Sequence, residues 1–72
     1  MEDYPVRLPI QLGQFLKLTA LAESGAHARE LITDGLVLVN GQVETHRAHQ
    51  LQAGDQVSLT LPDLPNYRVT EL

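Results

Sequence analysis

The side chains of this sequence that could carry binding chemistry are three bases and three histidines in its central part: Lys17, Arg29, Arg47, His27, His46 and His49. Guanidinium and ammonium groups bind phosphate through charge-assisted hydrogen bonds. A neutral imidazole still offers one donor and one acceptor, and it becomes cationic only below about pH 6.5. Arg47 lies in the densest local cluster of these side chains, because His46 directly precedes it and His49 follows two positions later. These residue types favour a surface that binds an anion.

Catalytic and metal-binding interpretations of the same sequence have less support. Ser24 precedes a glycine at a helix junction, so helix capping explains it better than nucleophilic chemistry. The sequence shows no paired carboxylates flanking a cleft and no glycine-rich phosphate loop. His46 and His49 are spaced like metal ligands, but only His27 and Glu44 could join them, and cysteine is absent. We therefore expect no catalytic residue, no metal and no cofactor.

The charge balance opposes a nucleic-acid partner unless the bases cluster. Nine acids against five bases give a formal net charge of −4, whereas proteins that bind nucleic acids are usually basic. Four of the nine acids lie in the two terminal segments: Glu2, Asp3, Asp63 and Glu71. Between residues 11 and 61, five acids still stand against three bases. Only a clustered basic face could bind phosphate.

Length and composition indicate one small globular domain. The chain has 72 residues, of which 43% are hydrophobic, and this is globular rather than disordered composition. The longest uninterrupted apolar run covers residues 36–39, far short of a membrane span. Without cysteine or a recognisable signal peptide, we expect a cytoplasmic protein with no membrane partner.

The hydrophobic pattern predicts an α+β order of helix, helix and then strands. Apolar residues recur at helical spacing in the first helix, at Leu12, Phe15, Leu16, Leu18 and Leu21. A second helix follows residues 24–25, buries Ala28, Leu31 and Ile32, and runs to about Asp34.

Strand signals fill the rest of the chain. Residues 36–39 predict a strand, Asn40-Gly41 predicts a hairpin turn, and residues 42–50 form its polar return segment. A turn at residues 53–55 leads into an alternating strand at residues 57–61, which Pro62 and Pro65 end. Tyr67 and Val69 indicate a last extended piece.

A series of motifs runs through residues 11–61 in a fixed order: Gln14-Phe15-Leu16-Lys17-Leu18, Ser24-Gly25, Ala28-Arg29, Leu31-Ile32, Gly35, Val37, Val39-Asn40-Gly41 and Gly54-Asp55-Gln56-Val57. In this order and spacing they resemble the S-four RNA-binding domain, a family named for a ribosomal small-subunit protein, and above all its stand-alone YbcJ-like branch. The resemblance implies two packed N-terminal helices followed by a small bent antiparallel sheet, the alpha-L motif. It also implies an RNA surface formed by the helices and the following hairpin.

The resemblance assigns candidate RNA contacts residue by residue. Lys17 matches a lysine of the first helix, Arg29 matches a base of the second, and Arg47 falls in the basic region of the hairpin. Histidine stands where the family often has further lysine or arginine. The turn residue Asn40 has a structural explanation first, but a protruding turn can also present amides to a phosphate. The expected RNA-binding set is Lys17, His27, Arg29, Asn40, His46, Arg47 and His49.

The resulting hypothesis is a non-catalytic module that binds structured RNA, with ribosomal or transfer RNA as candidates and no small-molecule substrate. The alternative is a protein-interaction adaptor that keeps the fold but has lost RNA binding, which the net charge of −4 motivates. We divide the chain into an extended arm at residues 1–10, the RNA-binding domain at residues 11–61, and a tail or edge strand at residues 62–72. Exposed edges in the two terminal segments would allow a weak homodimer.

Overall fold

The computed structural model of this chain describes residues 1–61 and 63–72. The elements of these residues are β1 (Glu2–Val6), β2 (Ile10–Gln11), α1 (Leu12–Leu18), α2 (Gly25–Thr33), β3 (Val37–Val39), β4 (Gln42–Val43), β5 (Gln50–Leu51), β6 (Gln56–Leu59) and β7 (Tyr67–Glu71). The strand end predicted at Pro62 lies outside the described residues. Within them, neither helix is long and apolar enough to cross a membrane.

Five of these strands form one mixed sheet in the order β1-β7-β6-β3-β4. β1 runs parallel to β7, and the other neighbours are antiparallel. β2 and β5 form a separate two-stranded antiparallel sheet. The α+β class is confirmed, but the prediction of a purely antiparallel sheet is wrong for its β1–β7 pair. Parallel pairing needs a long crossover connection, and here nearly the whole chain provides it.

Two strands precede the helices, so the predicted order of helices first and sheet second is only partly correct. β1 lies within the segment expected as an extended arm, and it forms an edge of the sheet, where Pro5 is tolerated. β7 lies within the segment expected as a tail or edge strand, yet it has a neighbour on each side. Alternation indicates an extended backbone but does not identify its partner. The division of the chain at residues 10 and 61 stays a prediction.

The first helix is shorter than its apolar stripe suggests. α1 ends at Leu18, and the hydroxyl of Thr19 donates to the carbonyl of Phe15 at 2.9 Å. Leu18 is 53% exposed, so its placement in the buried stripe is wrong, because only Leu12, Phe15 and Leu16 share the inward face. Leu21 is buried, but it follows the helix rather than belonging to it.

The second helix agrees more closely with its prediction. Ser24 is its N-cap, and the Ser24 hydroxyl accepts a hydrogen bond from the backbone N–H of His27 at 3.1 Å. The predicted inward residues of α2 are all buried: Ala28, Leu31 and Ile32. They hold α2 against a core that also contains residues of α1 and the main sheet.

An aromatic cluster joins the two ends of the chain to the first helix. The ring of Tyr4 on β1 meets Phe15 on α1 and Tyr67 on β7 edge to face, with centroid distances of 5.8 and 5.3 Å. The Tyr4 hydroxyl donates to the carbonyl of Leu18 at 3.2 Å. Burial, followed by the charge of Glu2, raises the pKa of Tyr67. β1 and β7 thus pack on the same core as α1.

Candidate nucleic-acid interface

The three central bases line one open depression, which we call the basic groove. Its volume is about 380 Å³, and its lining residues are Gln11, Gly13, Gln14, Lys17, Gly25, Ala28, Arg29, Arg47 and Ala48. Lys17 comes from α1, Arg29 from α2, and Arg47 from the loop between β4 and β5. Residues separated by 30 positions in the sequence therefore share one surface. Glycine and alanine contribute four of the lining residues, so the groove between the long bases is shallow and open.

The start of α1 fixes the position of Arg47. The backbone N–H of Gly13 donates to the carbonyl of Arg47 at 3.0 Å, and that of Leu12 donates to the carbonyl of His49 at 2.8 Å. A Cβ atom at position 13 would lie 3.5 Å from both the Cβ and the carbonyl oxygen of Arg47. The first amides of α1, which have no partner within a helix, are thus satisfied by the loop that carries Arg47.

The other two bases are placed by the packing of the helices. Lys17 lies in the last turn of α1, next to the buried Leu16, and its side chain is exposed. Arg29 follows the buried Ala28 on α2 and is also exposed. Because Leu16 and Ala28 belong to one core, the neighbouring polar positions of the two helices lie beside the same groove.

Two further depressions adjoin the basic groove at Arg29 and Arg47. One, of about 320 Å³, adds His46 together with Ile32, Thr33 and Thr45. The other, of about 560 Å³, adds the acids Glu30 and Asp34. Arg29 and Arg47 therefore border both a depression that contains His46 and a depression that contains two acids.

The cationic groups of the basic groove are not occupied by carboxylates. Among the described residues, ion pairs within 4 Å join Glu44 to His46, Glu44 to His49, and Arg68 to Asp3. None of them includes a base of the groove. The surface pair of Arg29 with Glu30, which their adjacency in the sequence allows, does not form. All three positive charges of the groove remain open to a ligand.

Glu44 holds two of the histidines. One oxygen of its carboxylate accepts from the Nδ1 of His46 at 2.9 Å, and the other lies 3.4 Å from the Nδ1 of His49. The hydrogen bond from His46 is the main cause that lowers the pKa of Glu44, with the nearby charges of both histidines adding to it. In the described part of the chain, no three His, Asp or Glu side chains are arranged to hold a metal ion.

The remaining members of the expected RNA-binding set lie outside the basic groove. Asn40 and His49 line a separate polar depression of about 300 Å³ that also contains Glu44 and Asp55. The ring of His27 accepts a hydrogen bond from the backbone N–H of Glu23 through Nδ1 at 3.0 Å, so it helps to close the turn before α2. Of the seven expected contacts, the structure brings together Lys17, Arg29 and Arg47, and it places His46 in an adjoining depression.

Sequence reasoning missed two residues that shape this surface. Gly13 is not among the predicted site residues, although its backbone N–H donates to the carbonyl of Arg47. The sequence suggested Glu44 only as a possible metal ligand. In the structure, its carboxylate accepts hydrogen bonds from the backbone N–H and the Nδ1 of His46, next to Arg47. The spacing of Glu44, His46 and His49 was the available signal, since side chains two to five residues apart can meet in a tight loop.

Comparison with known proteins adds a family and two relatives. The family model of the S4 domain matches residues 7–69. "Probable ribosome maturation protein RlbA" of Bacillus subtilis is 40% identical over 50 residues, which cover 69% of this chain and 70% of that protein. "Putative RNA-binding protein YbcJ" of Escherichia coli is 43% identical over 49 residues, covering 68% of this chain and 70% of that protein. The family-model match thus spans both helices, the loop with Arg47 and most of the sheet.

Proposed function

The chain belongs to the S4 domain family and is YbcJ-like, and from this membership we propose that it is a non-catalytic module that binds structured RNA along the basic groove. Lys17, Arg29 and Arg47 contact phosphates in this proposal. His46 extends the surface as an additional donor. The names of the two relatives, which refer to RNA binding and to ribosome maturation, support RNA as the ligand and ribosomal RNA as the first candidate.

The observation that carries the proposal is the convergence of three unpaired bases from three separate elements. The chain has only five lysines and arginines, and three of them line one depression. Arg68 forms an ion pair with Asp3 at 2.8 Å. Among the described residues, none of the three bases of the groove forms an ion pair. A local cluster of this kind can attract phosphate even when the net charge is negative.

The shape of the groove favours structured RNA over a single extended strand. The groove is shallow, its lining includes four glycines and alanines, and none of its described lining residues is aromatic. Proteins that bind single strands usually stack bases on aromatic rings, whereas duplex and junction RNA is recognised through phosphates and 2′-hydroxyls. A cytoplasmic setting, where ribosomal RNA is folded, agrees with this proposal.

Binding of an RNA hairpin to single alanine variants tests the proposal. We expect Lys17→Ala, Arg29→Ala and Arg47→Ala each to weaken affinity about 10- to 100-fold, because each removes one charge-assisted hydrogen bond. The double variant Arg29→Glu, Arg47→Glu should lose binding altogether. Fluorescence anisotropy with a labelled hairpin measures affinity, and circular dichroism verifies that the helices remain.

Arg7→Ala is the matched control, because Arg7 is exposed and lies outside the groove lining. It should change affinity less than any groove variant. Unchanged RNA affinity in a folded Arg29→Glu, Arg47→Glu variant would contradict the proposal. That result would mean that RNA contacts another surface, whereas the absence of hairpin binding by the unchanged chain would favour the adaptor alternative, in which the same fold docks a protein.

A further inference from the structure

The loop at residues 44–49, which we call the arginine loop, presents Arg47 to the basic groove although it contains no helix or strand. Backbone hydrogen bonds hold both of its sides. The N–H of Glu44 donates to the carbonyl of Val37 at 3.0 Å, and the carbonyls of Arg47 and His49 accept from the start of α1. These bonds anchor the main chain of the loop to β3 and to α1.

Inside the arginine loop, the carboxylate of Glu44 bridges the residues on either side of Arg47. One oxygen accepts from both the backbone N–H of His46 at 3.2 Å and its Nδ1 at 2.9 Å, while the other faces the Nδ1 of His49 at 3.4 Å. The N–H of His49 also donates to the carbonyl of His46 at 3.1 Å. The Glu44 side chain is only 22% exposed, so it lies within the loop rather than on its outer surface.

We propose that Glu44 is a positioning residue for RNA binding, whose carboxylate orders the arginine loop so that Arg47 points into the basic groove before the ligand arrives. This inference rests on the proposed function of the groove. Backbone hydrogen bonds fix the loop at residues 44, 47 and 49. Without the carboxylate, the residues between these anchors would have to become ordered when RNA binds, and ordering of loops and side chains reduces affinity. Three contacts from a single carboxylate provide that order in the free protein.

The inference predicts a result opposite in sign to simple electrostatics. A carboxylate close to a phosphate-binding surface should repel RNA, so its removal would be expected to improve affinity. Glu44, however, directs its oxygens towards two imidazoles within the loop. We therefore expect the loss of loop order to outweigh the loss of repulsion.

The experiment compares Glu44→Ala with Glu30→Ala in binding to the labelled RNA hairpin. Glu44→Ala should weaken affinity about 5-fold, as expected when a preorganised loop becomes mobile. Glu30 is exposed, lines the acidic depression beside Arg29 and Arg47, and is in none of the ion pairs among the described residues. Glu30→Ala should leave affinity unchanged or improve it. Equal or tighter binding by Glu44→Ala would overturn the inference.

Two further variants separate positioning from a general loss of stability. In an Arg47→Ala background, Glu44→Ala should have no additional effect on affinity, whereas a destabilised fold would weaken binding in both backgrounds. Glu44→Gln keeps one acceptor oxygen and should restore about half of the lost affinity on a logarithmic scale. An equal loss in both backgrounds would overturn the positioning role.

The same data distinguish this inference from the proposed function. If Arg47→Ala binds the hairpin as tightly as the unchanged chain, the proposed RNA surface itself is wrong. If Arg47→Ala weakens binding but Glu44→Ala does not, only the positioning role of Glu44 is wrong. Hydrogen exchange at the amide of His46 gives an independent readout, since it should accelerate in Glu44→Ala as the bond to the carboxylate is lost.

Discussion

Asn40 shows how one side chain can connect two turns. Its backbone has a φ of 54°, in the left-handed region that asparagine tolerates. Its Nδ2 donates to Asp55 at 3.1 Å, and its Oδ1 accepts from the N–H of Gln56 at 2.9 Å. Both polar groups of the side chain therefore form hydrogen bonds within the protein, and these bonds join the turn after β3 to the turn before β6. This explains Asn40 structurally, while its role as an RNA contact stays a prediction.

Replacement of Asn40 separates the two roles. Asn40→Gly removes both side-chain hydrogen bonds but tolerates the positive φ, and we expect it to lower the free energy of unfolding by about 1 to 2 kcal/mol. Asn40→Ala should lower it further, because alanine adds strain in the left-handed conformation. Urea denaturation measures both. If Asn40 also contacts RNA, both folded variants will bind the hairpin more weakly than the unchanged chain. If Asn40 is purely structural, the folded variants will bind the hairpin with the same affinity as the unchanged chain.

At the level of elements, β1 and β7 contribute to the same hydrophobic core as the helices. Val6 on β1 and Val69 on β7 are 1% and 0% exposed, and both belong to the core. The parallel register pairs Asp3 with Arg68, where their side chains form an ion pair. The two ends of the chain thus pair as neighbouring strands of the main sheet and contribute to the core that α1 also joins.

Truncation of Val6 tests whether the N-terminal segment is an arm or part of the domain. We expect Val6→Ala to lower the free energy of unfolding by about 2 kcal/mol, since it removes two buried methyl groups. Val43→Ala is the matched control, because Val43 lies on the edge strand β4 and is 56% exposed. That control should change stability by less than about 0.5 kcal/mol. Equal, small effects of the two variants would mean that residues 1–10 do behave as a detachable arm.

The elements that sequence could predict are those whose signals are local. The inward residues of α2 follow helical periodicity, and Ser24 caps that helix as expected. Asn40 and Gly41 both have positive φ values, as the predicted hairpin turn requires. The parallel pairing of β1 with β7 joins the two ends of the chain, and no local pattern encodes it. The small sheet of β2 and β5 is also non-local.

The candidate site was also predictable only in part, because some of its contacts join segments that are distant in the sequence. The motif resemblance selected Lys17, Arg29 and Arg47, and the packing of the two helices, together with the loop between β4 and β5, brings them to one groove. The approach of Gly13 to Arg47 and the bridging by Glu44 depend on where a loop without regular structure returns to α1. Residue types alone cannot show this return, because it is determined by backbone hydrogen bonds between distant segments.

At the scale of the whole molecule, charge is distributed so that a negative protein can have a positive groove. The net charge is −4, but Glu2, Asp3, Asp63 and Glu71 belong to the terminal segments. Glu30 and Asp34 line a depression that adjoins the groove at Arg29 and Arg47. Long-range attraction to RNA should therefore be weak, and binding should depend on the few phosphates that reach the groove.

The salt dependence of RNA binding measures how many phosphates the groove neutralises. With three bases in the groove, the logarithm of the association constant should fall by about 2 to 3 per logarithmic unit of salt, from the release of about 0.7 to 0.9 counterions per phosphate contact. Arg47→Ala should reduce the slope by about 1, whereas Arg7→Ala should leave it unchanged because Arg7 lies outside the groove lining. A slope near zero would show that the groove does not neutralise phosphates, and a slope well above 3 would require bases beyond the groove, of which Arg7 is the first to substitute.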